Sequence, residues 1–359
     1  MKMAIIGLPN SGKTTVFNAL TRGTAETTTY ASGQLEPNIS MVKVPDERLT
    51  KLSEMFNPRK LTPADVQYVD VGGISGEHQS GGLPGALLNY IQGADAYLHV
   101  VRAFQDENVP HPQGSVNVER DIATLDMELM FSDMAIIERR LQRLTAEINK
   151  MSSKDKEQRI AEREVMLKIQ QALESEIPVR DIELDEDEER LVKGYQFLSA
   201  KPMLVVVNTG DDQIASPPEV KYEHKRSDVV AISGKIEAEL AQMDDEDAAA
   251  FMEDLGISEA ARDRAIKKSY DLLGLISFLT AGTDEVRAWT IRKGIPAVEA
   301  AGTIHSDIQR GFIRAEIVAY DDLMRAGNMV EAKKQGTVRM EGKTYIVQDG
   351  DICHFLFNI

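Results

Sequence analysis

The sequence predicts an α/β protein: a P-loop nucleotide-binding domain with a mostly parallel sheet, an inserted α-helical hairpin, and a C-terminal α+β module. Three observations predict it. Gly7-Leu8-Pro9-Asn10-Ser11-Gly12-Lys13-Thr14 fills every position of G-x-x-x-x-G-K-[ST], between an apolar run at Met3–Ile6 and a helical pattern from Thr15. That strand-loop-helix context is what the motif requires. Short apolar runs recur at Val66–Val71, Ala96–Val101, Pro202–Val207 and Val229–Ile232, as in a sheet covered on both faces. Between them, residues 121–171 change to helical spacing, with Ile122, Leu125, Leu129, Leu141, Leu144 and Ile148 on one stripe.

Composition bounds the class. At roughly 100–200 residues per domain, 359 residues make two or three domains. The single cysteine, Cys353, excludes a disulfide framework and a cysteine metal cluster and suits a reducing compartment. No apolar run reaches the roughly 18 residues that cross a bilayer, and a first strand at Met3 leaves no room for a leader, so a cytoplasmic protein without a membrane partner is expected. A net charge of −17 argues against a whole-surface attraction to nucleic acid, and DNA is not an expected partner. The charge is uneven, however: bases outnumber acids between Glu138 and Gln171, and acids dominate from Glu174 to Arg190.

In chain order, the glycines at 7 and 12 permit the turn that points backbone amides at phosphate oxygens, and the helix behind them contributes its positive end. Lys13 is expected on the β- and γ-phosphates, with Asn10, Ser11, Gly12, Thr14 and Thr15 completing the cradle and Thr14 placing Mg²⁺. Thr21 to Asn38 reads as a loop, and Ile39–Val44 as a strand. Asp70-Val71-Gly72-Gly73 closes the next strand as D-x-x-G, with Asp70 toward the metal and the Gly73 amide toward the γ-phosphate. A glycine-rich tract from Gly76 to Gly85 gives the freedom to reorder with nucleotide state. His99, inside a buried strand, reads as a satisfied core residue. The helical run breaks at Ser152-Ser153-Lys154-Asp155 and resumes with Val165, Ile169 and Leu173, as in an antiparallel hairpin. A further helix begins near Asp185.

Asn208-Thr209-Gly210-Asp211 ends the following strand as N-x-x-D, where guanine-nucleotide proteins read the base, with Thr209 where Lys is usual. Ser233-Gly234-Lys235 resembles the S-A-K element behind that base. From Phe278 onward, strand-like runs at Arg287–Ile291, Phe312–Val318, Tyr345–Val347 and Ile352–Phe357 alternate with turns such as Asp349-Gly350-Asp351. The expected domains are thus 1–120 with 200–277 for the nucleotide, 121–199 for the helical insert, and 278–359 for the last module.

Taken together, these residues resemble the YchF/Obg-like ATPase family. The resemblance is carried by the phosphate loop, by Leu35-Glu36-Pro37-Asn38, Val44-Pro45-Asp46-Glu47-Arg48-Leu49, Val286-Arg287-Ala288-Trp289-Thr290 and Gly311-Phe312-Ile313-Arg314-Ala315. It implies a coiled-coil insert, a C-terminal TGS domain of β-grasp type, and a ribosome-associated NTPase that prefers ATP, acting as a switch in translation or stress regulation. The large ribosomal subunit and rRNA are the implied partners, through the concave sheet of the last domain and the basic hairpin Arg139, Arg140, Arg143, Lys150, Lys154 and Lys156. It implies a K⁺-linked role for Asn10 and a hydrolytic role for His111, and it places the apolar Ile74 where a water-positioning Gln stands in other NTPases. Gln34 stands where the family has the Thr that completes the Mg²⁺ shell, and Asp211 where the family commonly has Glu. The cofactors expected are therefore Mg²⁺ with ATP or GTP, and K⁺. The alternatives are a GTP-specific translation factor, pointed to by Asp211, and a nucleotide-dependent binding module with negligible turnover, pointed to by Gln34.

Overall fold

Apolar runs of strand length, each bounded by polar residues, account for most of the first sheet in the computed structural model, which describes residues 1–23, 37–71, 85–150 and 153–358. Strand β1 (Lys2–Ile6) enters the phosphate loop and helix α1 (Lys13–Thr21). Then come β2 (Asn38–Lys43), α2 (Glu47–Phe56), β3 (Lys60–Thr62), β4 (Asp65–Asp70), α3 (Gly85–Gln92) and β5 (Ala96–Arg102). The helical region holds α4 (Val118–Ile148), α5 (Ser153–Glu174) and α6 (Glu186–Val192), followed by β6 (Met203–Asn208), β7 (Ser227–Ile232), α7 (Gly234–Leu240), α8 (Asp245–Asp254) and α9 (Ala261–Leu272). The last stretch is β8 (Leu275–Ala281), β9 (Glu285–Arg292), α10 (Ala297–Ile304), α11 (Ser306–Arg310), β10 (Phe312–Ala319), α12 (Tyr320–Ala326), α13 (Met329–Lys334), β11 (Arg339–Glu341) and β12 (Asp351–Phe357).

The chain forms two compact units, residues 1–40 with 67–265 and residues 41–66 with 266–359. The first unit carries a sheet of order β2-β4-β1-β5-β6-β7, in which β4, β1, β5, β6 and β7 run parallel. Every residue of β5 and β6 is buried, which is why both read as unbroken apolar runs. Parallel order sets the carboxyl ends of β1, β4, β5 and β6 along one edge, where ligands of open α/β sheets bind.

Helix α4 joins two cores. Asn117 caps it by accepting from Arg120 N, and its first turns place Ile122, Leu125 and Leu129 against the sheet. Further on, Met130, Ile137 and Leu144 pack on Val165, Met166, Ile169 and Leu173 of α5. The boundary expected at residue 121 therefore falls within a continuous helix, and the helical region belongs to the same compact unit as the nucleotide sheet. Asp133, fully buried, accepts from Leu198 N (2.7 Å), Ser199 N (2.8 Å) and Ser199 Oγ (2.7 Å), pinning the returning chain to α4.

The second unit has a mixed sheet of order β11-β10-β12-β8-β9-β3. The hairpin β8–β9, the helix α10 and the strand β12 laid parallel to β8 give the β-grasp arrangement. Phe278, Ile291, Phe312, Ala315 and Phe355 close on Ala297, Ala300 and Ala301 of α10. Residues 41–66, which the sequence assigns to the nucleotide domain, supply this unit with α2 and with an edge strand, β3, parallel to β9. Tyr345–Val347 is strand-like in pattern but makes only a bridge from Ile346 to Pro296.

Candidate nucleotide-binding site

The site assembles from strand ends. Gly7 (φ 152°), Asn10 (φ 60°) and Gly12 (φ 88°) take backbone angles that curl the chain between β1 and α1. Side chains at the two glycines are excluded by space as well: a Cβ on Gly7 would lie 2.3 Å from Val100 O, and one on Gly12 would lie 2.2 Å from Asn208 Nδ2. Inside the curl the buried Lys13 donates from Nζ to Leu8 O (2.8 Å) and Gly7 O (3.1 Å). Burial pushes its pKa down to about 8, partly offset by the nearby Asp70 carboxylate.

At the end of β4, Asp70 Oδ2 accepts from Thr14 Oγ1 at 2.8 Å. This brings a hydroxyl and a carboxylate together beside the loop, a hard-oxygen pair of the kind Mg²⁺ prefers. Thr15 is half-buried in α1. Gln34, Gly73 and Ile74 lie outside the described residues.

Behind the loop, Asn208 is a tie. Its Nδ2 donates to Ser11 O (3.0 Å) and its Oδ1 accepts from Gly234 N (3.0 Å), joining β6, the phosphate loop and the start of α7. The Thr209 amide bonds Ile232 O of β7. Asp211 remains partly open to solvent and accepts from Ser233 Oγ (3.1 Å) and Lys235 Nζ (2.7 Å). The structure thus brings Asn10, Ser11, Gly12, Lys13, Thr14, Asp70, Asn208, Thr209, Asp211, Ser233, Gly234 and Lys235 to the ends of β1, β4, β6 and β7.

His111 joins them from the loop between β5 and α4. Its Nε2 is 2.9 Å from Asp121 Oδ2, and both side chains are almost fully buried. The Gln113 amide donates to Nδ1 (3.1 Å), so Nε2 carries the proton that Asp121 accepts. A narrow crevice too tight for a water molecule is lined by Leu8, Pro9 and Ser11 of the phosphate loop together with His99, Arg102, His111 and Asp121. Asn10 Nδ2 bonds Pro110 O (2.9 Å), linking the phosphate loop to the residue before His111.

Two expectations need correction. His99 is buried, but neither ring nitrogen has a hydrogen-bond partner among the described residues, so it is not a satisfied core histidine. Arg140 of the basic hairpin is drawn inward by Glu162 (2.7 Å) and Glu147 (3.1 Å), while Arg139 and Arg143 stay exposed. Sequence reasoning missed Asp121 and Arg102. The first reads as an ordinary acid in a helix's first turn and the second as the polar end of a strand; each gains its role from a loop folded over it.

Two family models match separate parts of the chain. Residues 2–138 match a family described as "50S ribosome-binding GTPase", and residues 275–358 match YchF-GTPase_C, described as a protein of unknown function. The "Ribosome-binding ATPase YchF" of Bacillus subtilis is 44% identical over 99% of this chain and 98% of its own length. Its namesake in Haemophilus ducreyi is 40% identical over 100% of this chain and 99% of its own. The Schizosaccharomyces pombe YchF GTPase structure superposes with a TM-score of 0.87 at 30% identity, covering 99% of this chain and 97% of that one. With a phosphate loop tied to both strand-end motifs and likeness along the whole length, the chain belongs to the YchF family.

Proposed function

We propose that this chain is a Mg²⁺-dependent P-loop NTPase that hydrolyses ATP and serves as a ribosome-binding switch in translation or stress regulation. The observation that carries this reading is the junction of Lys13, Thr14 and Asp70 at the strand ends, where a buried ammonium and two oxygen donors converge on one loop. Backbone amides of the loop would hold phosphate oxygens, with Lys13 adding a point charge. Thr14 and Asp70 are the residues to hold Mg²⁺, which when bound neutralises phosphate charge. His111 keeps its Nε2 proton on Asp121; its Nδ1 becomes a base for water only when the Gln113 amide lets go.

The relatives' names support ATP as substrate and the ribosome as partner, and the family matched over residues 2–138 supports the large subunit. One observation supports GTP as a second reading: Asp211, the acid of the N-x-x-D motif, stays partly open to solvent while Ser233 steadies its carboxylate. Competition of ATP and GTP for one labelled nucleotide separates the two. K⁺ activation belongs to the same proposal, and turnover in K⁺ against Na⁺ tests it.

Lys13→Ala is the direct test. Calorimetry with Mg²⁺ should show loss of nucleotide binding, and unchanged affinity and turnover would refute the site. In the wild-type protein a bound triphosphate raises the depressed Lys13 pKa, so near pH 8 binding should take up a fraction of a proton, visible as a dependence of the heat on buffer ionisation.

A further inference from the structure

The loop from β5 to α4 is wound around one buried side chain. Arg102, 3% exposed, ends β5 and directs its guanidinium back into the segment that follows it. Nε donates to Phe104 O (3.1 Å), Nη1 to Val109 O (2.9 Å) and Nη2 to Asp106 O (3.2 Å). The guanidinium carbon also lies 4.4 Å from the centre of the Phe104 ring. Three carbonyls spread over six residues thus converge on one planar fork.

The two ends of this loop are fixed to the nucleotide site. At its root, Ala103 N and Phe104 N both bond Asn208 O (2.8 and 3.2 Å), and Asn208 is the residue that ties the phosphate loop to α7. At its tip, Pro110 O accepts from Asn10, and the next residue is His111, held on Asp121. Between root and tip, Arg102 holds the middle by side-chain bonds to Asp106 and Val109 carbonyls, alongside the short backbone turn Val109 N→Asp106 O (3.2 Å).

We infer that Arg102 is a positioning residue for hydrolysis: it shapes the Phe104–Val109 segment so that Pro110 meets Asn10 and His111 is presented beside the phosphate loop. Arg102 touches no reacting atom and works through His111, so this inference rests on the NTPase reading above. Lysine cannot replace it. An ammonium carries the same charge but lacks the fork that reaches three carbonyls set around a plane.

The test compares Arg102→Lys with wild type for Kd, kcat, thermal midpoint and amide hydrogen exchange. Nucleotide affinity should stay within about threefold, because only the Asn10–Pro110 bond of the cradle depends on Arg102, while Lys13 and Thr14 keep their own contacts. Turnover should fall roughly ten- to a hundredfold, the scale of a misplaced catalytic group. Amides of 103–113 should exchange faster, while those of β5 and β6 keep their protection. In a His111→Ala background, which is itself slowed, Arg102→Lys should lower turnover no further, because groups that act as one unit do not add.

Wild-type turnover in Arg102→Lys overturns the inference. So does wild-type turnover in His111→Ala, or an equal further loss in the double variant, because either would show that Arg102 does not act through His111. Faster exchange across β5 and β6 would make Arg102 a structural residue only. Failure of the NTPase reading itself appears separately, as absence of nucleotide binding by the wild-type chain.

Discussion

His99 is a residue whose cost can be measured. It lies buried on β5 with neither ring nitrogen bonded among the described residues, and burial pushes its pKa down to about 4. The unfolded chain takes up that proton near pH 6.5. Between the two values the unfolded state binds more protons, so stability drops as pH falls through this window, by about 3 kcal/mol when it has been crossed. Asp133 has the opposite sign. Burial raises its carboxyl to about 6, so the folded state takes the proton first, and this residue gains stability on acidification. The two contributions oppose each other in the wild type. His99→Phe should leave urea stability near neutral pH within about 1 kcal/mol, since an unpaired buried polar group is removed and the volume roughly kept. At pH 4.5 it should exceed wild type by about 2 kcal/mol; equal pH profiles for the two proteins would show that His99 is protonated or bonded in the fold. That the phosphate loop, Asp70 and Asn208 come together was legible because each lies in a short fixed spacing at a strand end. Arg102 was not, because its partners are backbone carbonyls and leave no side-chain pattern behind.

At the scale of elements, the segment 41–66 is the least expected part of the fold. Its pattern reads as a strand only at the end of Ile39–Val44, and nothing in it announces β3 or its pairing with β9, Lys60 opposite Glu285, more than two hundred positions away. Periodicity reports which face an element buries, not against what. One motif that carries the family resemblance, Val44–Leu49, is bonded to the later part of this unit. Asp46 caps α2, and Arg48 donates to Asp46 (2.9 Å) and to Asp349 (2.7 Å) in the turn before β12, while Asp349 also accepts from Ser277 N (2.9 Å) of β8. Leu49 and Leu52 of α2 are buried within the same unit, as are Val286 and Ala288 of β9. A fragment of residues 275–358 alone would expose that apolar surface and lose the β3 edge. Joined by a short linker to residues 41–66 and extended back to Ile266, it should melt roughly 10 °C higher, since a few kcal/mol moves the midpoint of a domain this size by that much. Identical melting of the two fragments would show that α2 and β3 add nothing to the unit.

For the whole molecule, a net charge of −17 makes ribosome binding a matter of where the bases lie. With Arg140 committed to Glu162 and Glu147, the exposed Arg139, Arg143 and Lys150 are the hairpin bases we propose for contact with a phosphate-rich surface. Co-sedimentation with ribosomes should weaken steeply with salt, and R139A/R143A should lower the slope of log affinity against log salt by about 1 for each arginine that meets a phosphate; a flat salt dependence would remove the hairpin from the interface. Arg140→Ala should instead loosen the hairpin. Helix α4 carries a mechanical consequence of its own. Its first turn holds Asp121, the partner of His111, and its 31 residues extend unbroken for about 45 Å. A stiff rod rooted beside the candidate nucleotide site is a lever: a tilt of about 5° at the root sweeps the far tip through about 4 Å, enough to engage or release whatever the tip touches.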